Sequence, residues 1–595
     1  MTPDQTASPG QDHLPHNGAS AQPDQFNIAQ YLPAMARAAP DRPAVLCPHR
    51  PDERGRTALT FKALDADSDQ LAWGLSRLGL RPGERTLLFV RPGLEFVSIT
   101  FALFKLGAVP VLIDPGMGRG NLLHCVRQSR PEALIAVPLV HALRLLWAYD
   151  SFDSVRLSVT VGQRWFWGGP ALRHVRQLGN TTDPFPLAPT TRDTVAAILF
   201  TSGGTGIPKG VVYKHGMFDA QVAAIRTHYG IEPGEVDLPA FPLFALFSAA
   251  LGTTCVIPDM DPTRPAQCNP ARIVRAIKEH GVTFTFGSPS IWRRVGPYCV
   301  EKGITLPGLS RILMAGAPVR GDVLAPFAKI LGPDADTYIP YGATEALPVA
   351  SIRGSEVLNE TWALTRQGRG YCLGCPLPGI TVGIIAPEDD AGADPIQNPK
   401  SKIQNAVLPP GEIGEIVVSG DVVTHEYFEM PEQTALAKVY GQSAIRNPKS
   451  AIVWHRMGDM GYADDRGRLW FCGRKAHRVI MEGGTVLYSV CVEALCEEAY
   501  ERLLGVRPRA ALVGIGAPPS QKPAIIFEST PAPALRAREH ELLAALSAYE
   551  TTRLIRTVLY HPRFPVDIRH NAKINREALA RWAQSQIANR GSRIP

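Results

Sequence analysis

Between Thr86 and Asp114 the chain reads TLLFV, then LEFVSITFALFKL, then VPVLID: a short apolar run, a run of helical length and a second short apolar run. That order is a strand, a helix and a strand, and a βαβ unit implies that its two strands are parallel. The alternation resumes in NLLHCVRQ and ALIAV, between 121 and 137. It returns later with a helix at 271 to 280, a strand at 282 to 286, a helix at 290 to 295 and a strand at 311 to 315. A chain patterned in this way is an α/β protein in which helices cover mainly parallel sheets.

At 595 residues the chain exceeds the roughly 250–300 at which single cores stop growing, so more than one domain is expected. Residues 1 to 25 lack an apolar run and a basic n-region, and they read as a disordered tail rather than a signal peptide. Helical spacing runs over 27 to 39 and 61 to 80, the second with Leu64, Leu71, Leu75 and Leu78 on one stripe and Gly79 at its end. From about 376 to 472 helices thin out, and GEIGEIVVSG and GRLWFCG suggest an accessory region of short antiparallel strands. A break falls near GRKAH. Beyond it a helix at 489 to 500, strands at 510 to 515 and 523 to 528, and a helix at 539 to 548 form a small α+β unit. The expected division is a large domain at 26–472, a hinge at 473–476 and a small mobile C-terminal lid at 477–595.

The strand pattern VAAILF at 195 to 200 runs into TSGGTGIPKG. Glycines at 203, 204, 206 and 210 let backbone approach an anion, Thr201, Ser202 and Thr205 add donors, and Lys209 adds a positive point charge. The run reads as a phosphate loop at the carboxyl end of a strand, where open α/β sheets bind ligands. It is not a Walker A loop, because Pro208 precedes the lysine and Gly210 follows it. A plain glycine-rich turn is the bland alternative, and further motifs weigh against it. These are AGAP at 315 to 318, YGATE at 341 to 345, HRMGDMGYADDRG from 455, GRK at 473 to 475 and IRHNAKINREAL from 568.

In this order the motifs resemble the acyl-adenylate-forming superfamily, which includes acyl-CoA synthetases, luciferases and nonribosomal adenylation domains; the likeness spans about residues 27 to 590. The resemblance implies an ATP site made of Thr201, Ser202, Gly203, Gly204, Thr205, Gly206, Lys209, Gly316, Ala317, Pro318, Tyr341, Gly342, Thr344, Asp459, Arg474 and Lys573. In that site Glu345 would hold Mg2+, Thr344 would bond the α-phosphate and Tyr341 would offer a flat face to adenine. Asp459 would accept both ribose hydroxyls, Arg474 would contact ribose or phosphate, and Lys573 would be the catalytic lysine, acting with Glu345, Thr344 and Lys209 on the phosphorus that is attacked.

Two departures narrow the reading. The common FHxxG segment becomes Phe244-Ala245-Leu246-Phe247-Ser248, without its histidine, and Ala476 stands where many members carry an Asp or Lys hinge. With FPLFALFSAALG, YGATEALP and CGRKAHRVI, they resemble the β-lactone synthetases of bacterial long-chain olefin biosynthesis. Such enzymes adenylate a long-chain 2-alkyl-3-hydroxy acid, whose own hydroxyl then closes the ring. The partners implied are that acid, ATP, Mg2+ and an assembly with other olefin-pathway enzymes (thiolase-like, reductase and lactone decarboxylase). A long-chain acyl-CoA synthetase or fatty acyl-AMP ligase is the alternative.

The longest uncharged stretch, between Asp237 and Asp259, is broken by Pro239, Pro242 and Gly252, so it reads as pocket lining that includes Phe244, Leu246 and Phe247, not as a transmembrane span. A cytoplasmic location is expected. Of the formal net charge of +7, residues 536 to 595 hold 11 Lys and Arg against 5 Asp and Glu, yet no nucleic-acid module accompanies them. The ten cysteines have no zinc-ribbon spacing and read as reduced thiols. IQNPKSKI at 396 to 403 and IRNPKSAI at 445 to 452 read as exposed loops.

Overall fold

The computed structural model describes residues 25–201, 207–241, 244–387, 407–440, 453–530, 538–566 and 574–591. Both NPKS segments lie outside these residues.

Two large sheets carry the N-terminal part. The first has six strands in the order Leu157–Thr160, Ala133–Ala136, Arg85–Phe89, Val109–Ile113, Val195–Thr201 and Lys209–Lys214. All of its pairings are parallel except the last, where the chain turns straight back on itself. The helix Leu94–Leu106, bounded as the sequence predicts, is buried almost throughout. An apolar run this uniform has no solvent face to offer, which suits a helix inside a large fold. The chain leaves it through Gly107 at φ +76°.

The helix Phe61–Arg77 begins at Thr60, whose hydroxyl accepts from Ala63 N, and Leu64, Leu71 and Leu75 are fully buried. Truncating any one of these leucines should cost about 2–5 kcal/mol. Its other face carries acid against cations of neighbouring helices. Asp67 takes Arg176 in a bidentate pair at 2.9 and 2.8 Å, and Asp65 binds the buried Lys105 ammonium at 2.6 Å. Lys105 also meets Asp69 at 2.5 Å, so removing that lysine would leave two carboxylates without their cation, at about 3–5 kcal/mol.

The second sheet has fourteen strands. Its parallel part includes Val236–Pro239, Phe284–Gly287 and Arg311–Met314, and Asp336–Ala343 then turns into the antiparallel Ala346–Arg353. Through Tyr371–Pro376 the hydrogen-bonded path continues into Leu469–Arg474, Val453–Ala463, Gly414–Ser419 and Thr381–Ile385. The accessory strands expected over 376 to 472 are therefore antiparallel, as read, and continuous with the parallel sheet.

The C-terminal part packs the helix Ser489–Leu504 on a three-stranded sheet of Ala510–Ile515, Lys522–Glu528 and Thr557–His561. Arg320 meets Glu497 at 2.9 Å, and Arg366 meets Glu498 and Glu501 at 2.7 and 3.0 Å, so ion pairs hold that helix to the larger part. The uncharged stretch after Asp237 forms a strand end, the short helix Ala245–Leu251 and the strand Thr254–Val256. No helix among the described residues is long and apolar enough to cross a membrane. All ten cysteines are free thiols.

Candidate active site

Two antiparallel strands flank the phosphate-loop motif. Val195–Thr201 and Lys209–Lys214 pair antiparallel with Thr201 opposite Lys209, so both residues stand at the mouth of the loop. Ser202, Gly203, Gly204, Thr205 and Gly206 lie outside the described residues. Because the lysine opens a returning strand, cationic charge here comes from its side chain and not from a helix N-terminus.

A third segment clamps this hairpin to the YGATE turn. Phe428 N donates to Gly210 O at 2.7 Å, and Tyr427 forms a bridge with Val211, which fixes residues 426 to 428 along the returning strand. On the other side Thr424 sends its backbone N–H (2.9 Å) and its hydroxyl (3.1 Å) to Glu345 O, and Val423 bridges Ala346. Tyr427 completes the clamp: its phenol donates to Glu345 Oε1 at 2.8 Å, and its ring lies 4.9 Å from the Lys209 ammonium. The Tyr213 hydroxyl donates to Thr344 O. Thr344 and Glu345 thus form the tight turn between Asp336–Ala343 and Ala346–Arg353. Gly342 permits that turn, since a Cβ there would lie 2.6 Å from Ala346 O.

Lys438 stands behind the clamp, 3% exposed, with its ammonium 3.2 Å from Thr424 Oγ1. Burial lowers its pKa to about 7 against the pull of Glu345. Burial, and then Lys438, hold the neighbouring His455 well below its ordinary value.

Asp459 and Arg474 are register partners across the strands Val453–Ala463 and Leu469–Arg474. Tyr341 donates to Asp459 Oδ2 at 2.7 Å, while Arg474 Nε stands 3.1 Å from Oδ1. Asp459 in turn raises the pKa of Arg474. That contact is an ion pair without a directed hydrogen bond, so among the described residues the buried Oδ1 keeps an unused acceptor direction, which suits a hydroxylated ligand. One of the two oxygens that the sequence reading gave to ribose is therefore already engaged by Tyr341. Gly316, at φ +94°, turns the AGAP segment so that Gly316, Ala317 and Pro318 line the same cavity.

That cavity measures about 1120 Å³ and runs from Thr201, Lys209, Glu345, Asp459 and Arg474 to an apolar end. The apolar walls include Phe101, Phe104, Phe218, Phe244, Leu246 and Phe247, with Phe244 stacked on Phe286. Behind Phe244 and Phe247 sits the buried Asp237, whose Oδ2 accepts from Ser248 at 2.7 Å and whose Oδ1 has no hydrogen-bond partner among the described residues. Lys573 lies outside the described residues; Ile574, Asn575 and Arg576, which follow it, line the cavity. Ala476 lines it too, within the short 3-10 turn Lys475–His477.

The polar and apolar ends thus share one chamber. Glu345 fits a hard cation, because a carboxylate is the donor such an ion prefers and no hydrogen bond engages its Oε2 among the described residues. No cluster of three or more His, Cys, Asp or Glu that could hold a metal occurs among them, and a cation shared with phosphates needs no all-protein cage. The sequence reading missed Tyr427 and Lys438. Their only local signal is a tyrosine and a lysine bracketing YFEMPEQTALAK, and nothing in periodicity shows that they face Glu345.

Residues 32–428 match the AMP-binding enzyme family. The chain is 46% identical over 576 residues to an olefin β-lactone synthetase of Stenotrophomonas maltophilia, covering 95% of this chain and 99% of that one. It is 44% identical to the olefin β-lactone synthetase of Xanthomonas campestris pv. campestris, covering 94% and 98%. Among solved structures, an anthranilate CoA ligase in complex with anthranoyl-AMP shares the fold with a TM-score of 0.72 at 19% identity, covering 96% of this chain and 99% of that one.

Proposed function

The chain belongs to the AMP-binding enzyme family, and on that premise we propose that it adenylates a long-chain 2-alkyl-3-hydroxy acid and closes the product to a β-lactone. The observation that carries this reading is the single cavity joining the Lys209, Glu345 and Asp459 end to the aromatic end at Phe244 and Phe247. An activated carboxyl group and a long alkyl tail need such a chamber.

ATP and the acid are the substrates. An acid oxygen attacks the α-phosphorus and pyrophosphate leaves, while Lys209 and Lys573 oppose the negative charge that grows on the phosphoryl oxygens. When bound through Glu345, Mg2+ would neutralise phosphate charge. Tyr427 and Thr424 hold that carboxylate and its backbone still, so the site is organised before substrate arrives. Thr344, at the adjoining turn, is the donor proposed for the α-phosphate. Asp459 and Arg474 take the ribose, and Gly316, Ala317 and Pro318 take the base.

In the second half-reaction the 3-hydroxyl oxygen bonds to the acyl carbon, its proton is lost, and the bond from acyl carbon to phosphate oxygen breaks to release AMP. The nucleophile arrives with the substrate, so attack is intramolecular and needs no thiol cosubstrate. Ala476, which has no charged group to pair with in a rotated pose, is in keeping with a cycle that has dropped the thioester step. Residues 473–476 are the proposed hinge and 477–595 the proposed lid. Gly473 suits that role, because its φ is +134° and a Cβ there would lie only 2.5 Å from Ser489 Oγ.

The test compares a 2-alkyl-3-hydroxy acid with its 3-deoxy analogue. Both should support acid-dependent pyrophosphate release, but only the hydroxy acid should release AMP over many turnovers without a thiol. Equal sustained AMP release from both acids would contradict the ring-closing step.

A further inference from the structure

Of the large apolar side chains that stand exposed among the described residues, most fall between 139 and 166. Leu139 is 58% exposed, Leu146 62%, Trp147 64%, Tyr149 62%, Trp165 52% and Phe166 72%. Monomeric proteins rarely leave such a patch uncovered without a use for it. We propose that this face is a docking surface for an anionic lipid bilayer.

The patch is a built feature. The helix Pro138–Trp147 buries only His141 and Ala142, and its remaining leucines and Trp147 face outward or lie part-way. The His141 ring stacks on Trp167 with centroids 5.4 Å apart, and Trp165 and Phe166 each lie 5.3 Å from that same Trp167. Helix and loop therefore form one surface around the His141–Trp167 stack. Two hydrogen bonds pin the stack to the edge strand of the six-stranded sheet: His141 Nε2 meets Val159 O at 3.1 Å, and Trp167 Nε1 donates to Thr160 Oγ1 at 2.8 Å. In the order of that sheet three strands separate this edge from Val195–Thr201, so the patch is distinct from the cavity.

The character of the patch selects its occupant. Side chains more than half exposed stand proud of the fold, a shape suited to entering a fluid phase. Trp and Tyr, with one apolar and one polar end, favour the bilayer interface. The charge agrees. Leaving out Arg176, which is buried against Asp67, residues 119 to 164 hold six arginines against three carboxylates, although Asp150 and Asp153 lie beside the helix. The Arg119 guanidinium lies 5.8 Å from the centroid of the Trp147 ring, and Arg164 directly precedes the exposed Trp165 and Phe166. Cations beside interfacial aromatics are drawn to anionic headgroups. The function proposed above, on which this last point rests, favours the same occupant: an acid with two long alkyl tails partitions into bilayers, and an enzyme seated there meets it where it is concentrated.

The experiment uses the full chain with vesicles of phosphatidylcholine alone or with phosphatidylglycerol, and without substrate, so that it stands whatever the reaction is. Wild type should sediment with the anionic vesicles, and Trp147→Ser combined with Phe166→Ser should lower that partition by about tenfold or more. Arg119→Glu should weaken binding to anionic vesicles alone. Unchanged thermal unfolding and unchanged adenylation of a short, soluble acid would show that the variants are folded. The proposal falls if wild type stays in the supernatant, or if the double variant sediments equally well. It also falls if light scattering without vesicles shows the wild type as a dimer and the double variant as a monomer, which would assign the face to a second copy of the chain.

Discussion

The Tyr427 phenol donates a 2.8 Å hydrogen bond to Oε1 of Glu345 from a ring whose centroid lies 4.9 Å from the Lys209 ammonium. One buried side chain therefore touches both of the charged residues assigned to the phosphates. In Tyr427→Phe the ring stays under Lys209 while the hydrogen bond to the carboxylate is lost. Groups that orient a metal ligand typically govern metal affinity or activity by 10–100-fold, so half-saturation by Mg2+ should rise about tenfold. The KM for the acid should hardly move. A magnesium titration that superimposes on wild type would remove Tyr427 from this role.

Asp237 predicts a pH dependence of stability. Burial, only partly offset by the Ser248 hydrogen bond, lifts its carboxyl to about 8, against about 3.9 in an unfolded chain. Below the unfolded value both states are protonated and the group costs nothing. As pH rises from about 4 to about 8 the unfolded chain sheds the proton while the fold retains it, so the fold loses stability relative to the unfolded chain. Asp237→Asn should abolish that loss: its Tm should exceed that of wild type little near pH 5 and most near pH 8. Parallel Tm curves for the two proteins across that range would contradict the assignment.

Phe247 tests the apolar end of the cavity. It lies against Phe218 and Phe244, with ring centroids 6.1 and 5.4 Å away, on the wall proposed to meet the alkyl chain. Phe247→Asp places a charge there, and the KM for long-chain acids should rise about tenfold or more, equivalent to about 1.4 kcal/mol of lost binding. The KM for ATP should stay near wild type. If the acid's KM does not move, or moves only in step with that of ATP, Phe247 does not line the acyl site.

Elements set by local pattern were readable in the sequence. Leu94–Leu106 has the predicted bounds, Leu64, Leu71 and Leu75 are buried together as their spacing requires, and the helix predicted over 539 to 548 forms at Glu539–Leu546. Lys209, Thr344, Glu345, Asp459 and Arg474, singled out in the sequence by motifs that resemble a family's, line one cavity. What local pattern does not encode is which distant strands pair. The continuity of the fourteen-stranded sheet through Tyr371–Pro376 is of this kind, and so is the Tyr427 contact with Glu345, which spans 82 residues. The aromatic patch escaped for a different reason. Spacing in PLVHALRLLW shows an amphipathic helix, but only the fold reveals that its apolar side faces outward.

The most direct test of the central claim is the mass of the organic product formed from MgATP and a 2-alkyl-3-hydroxy acid in the absence of CoA. AMP should accumulate, and the product should be the acid less one water, with the infrared carbonyl absorption of a four-membered lactone. AMP that appears only after CoA is added, together with a thioester that retains the 3-hydroxyl, would contradict the claim.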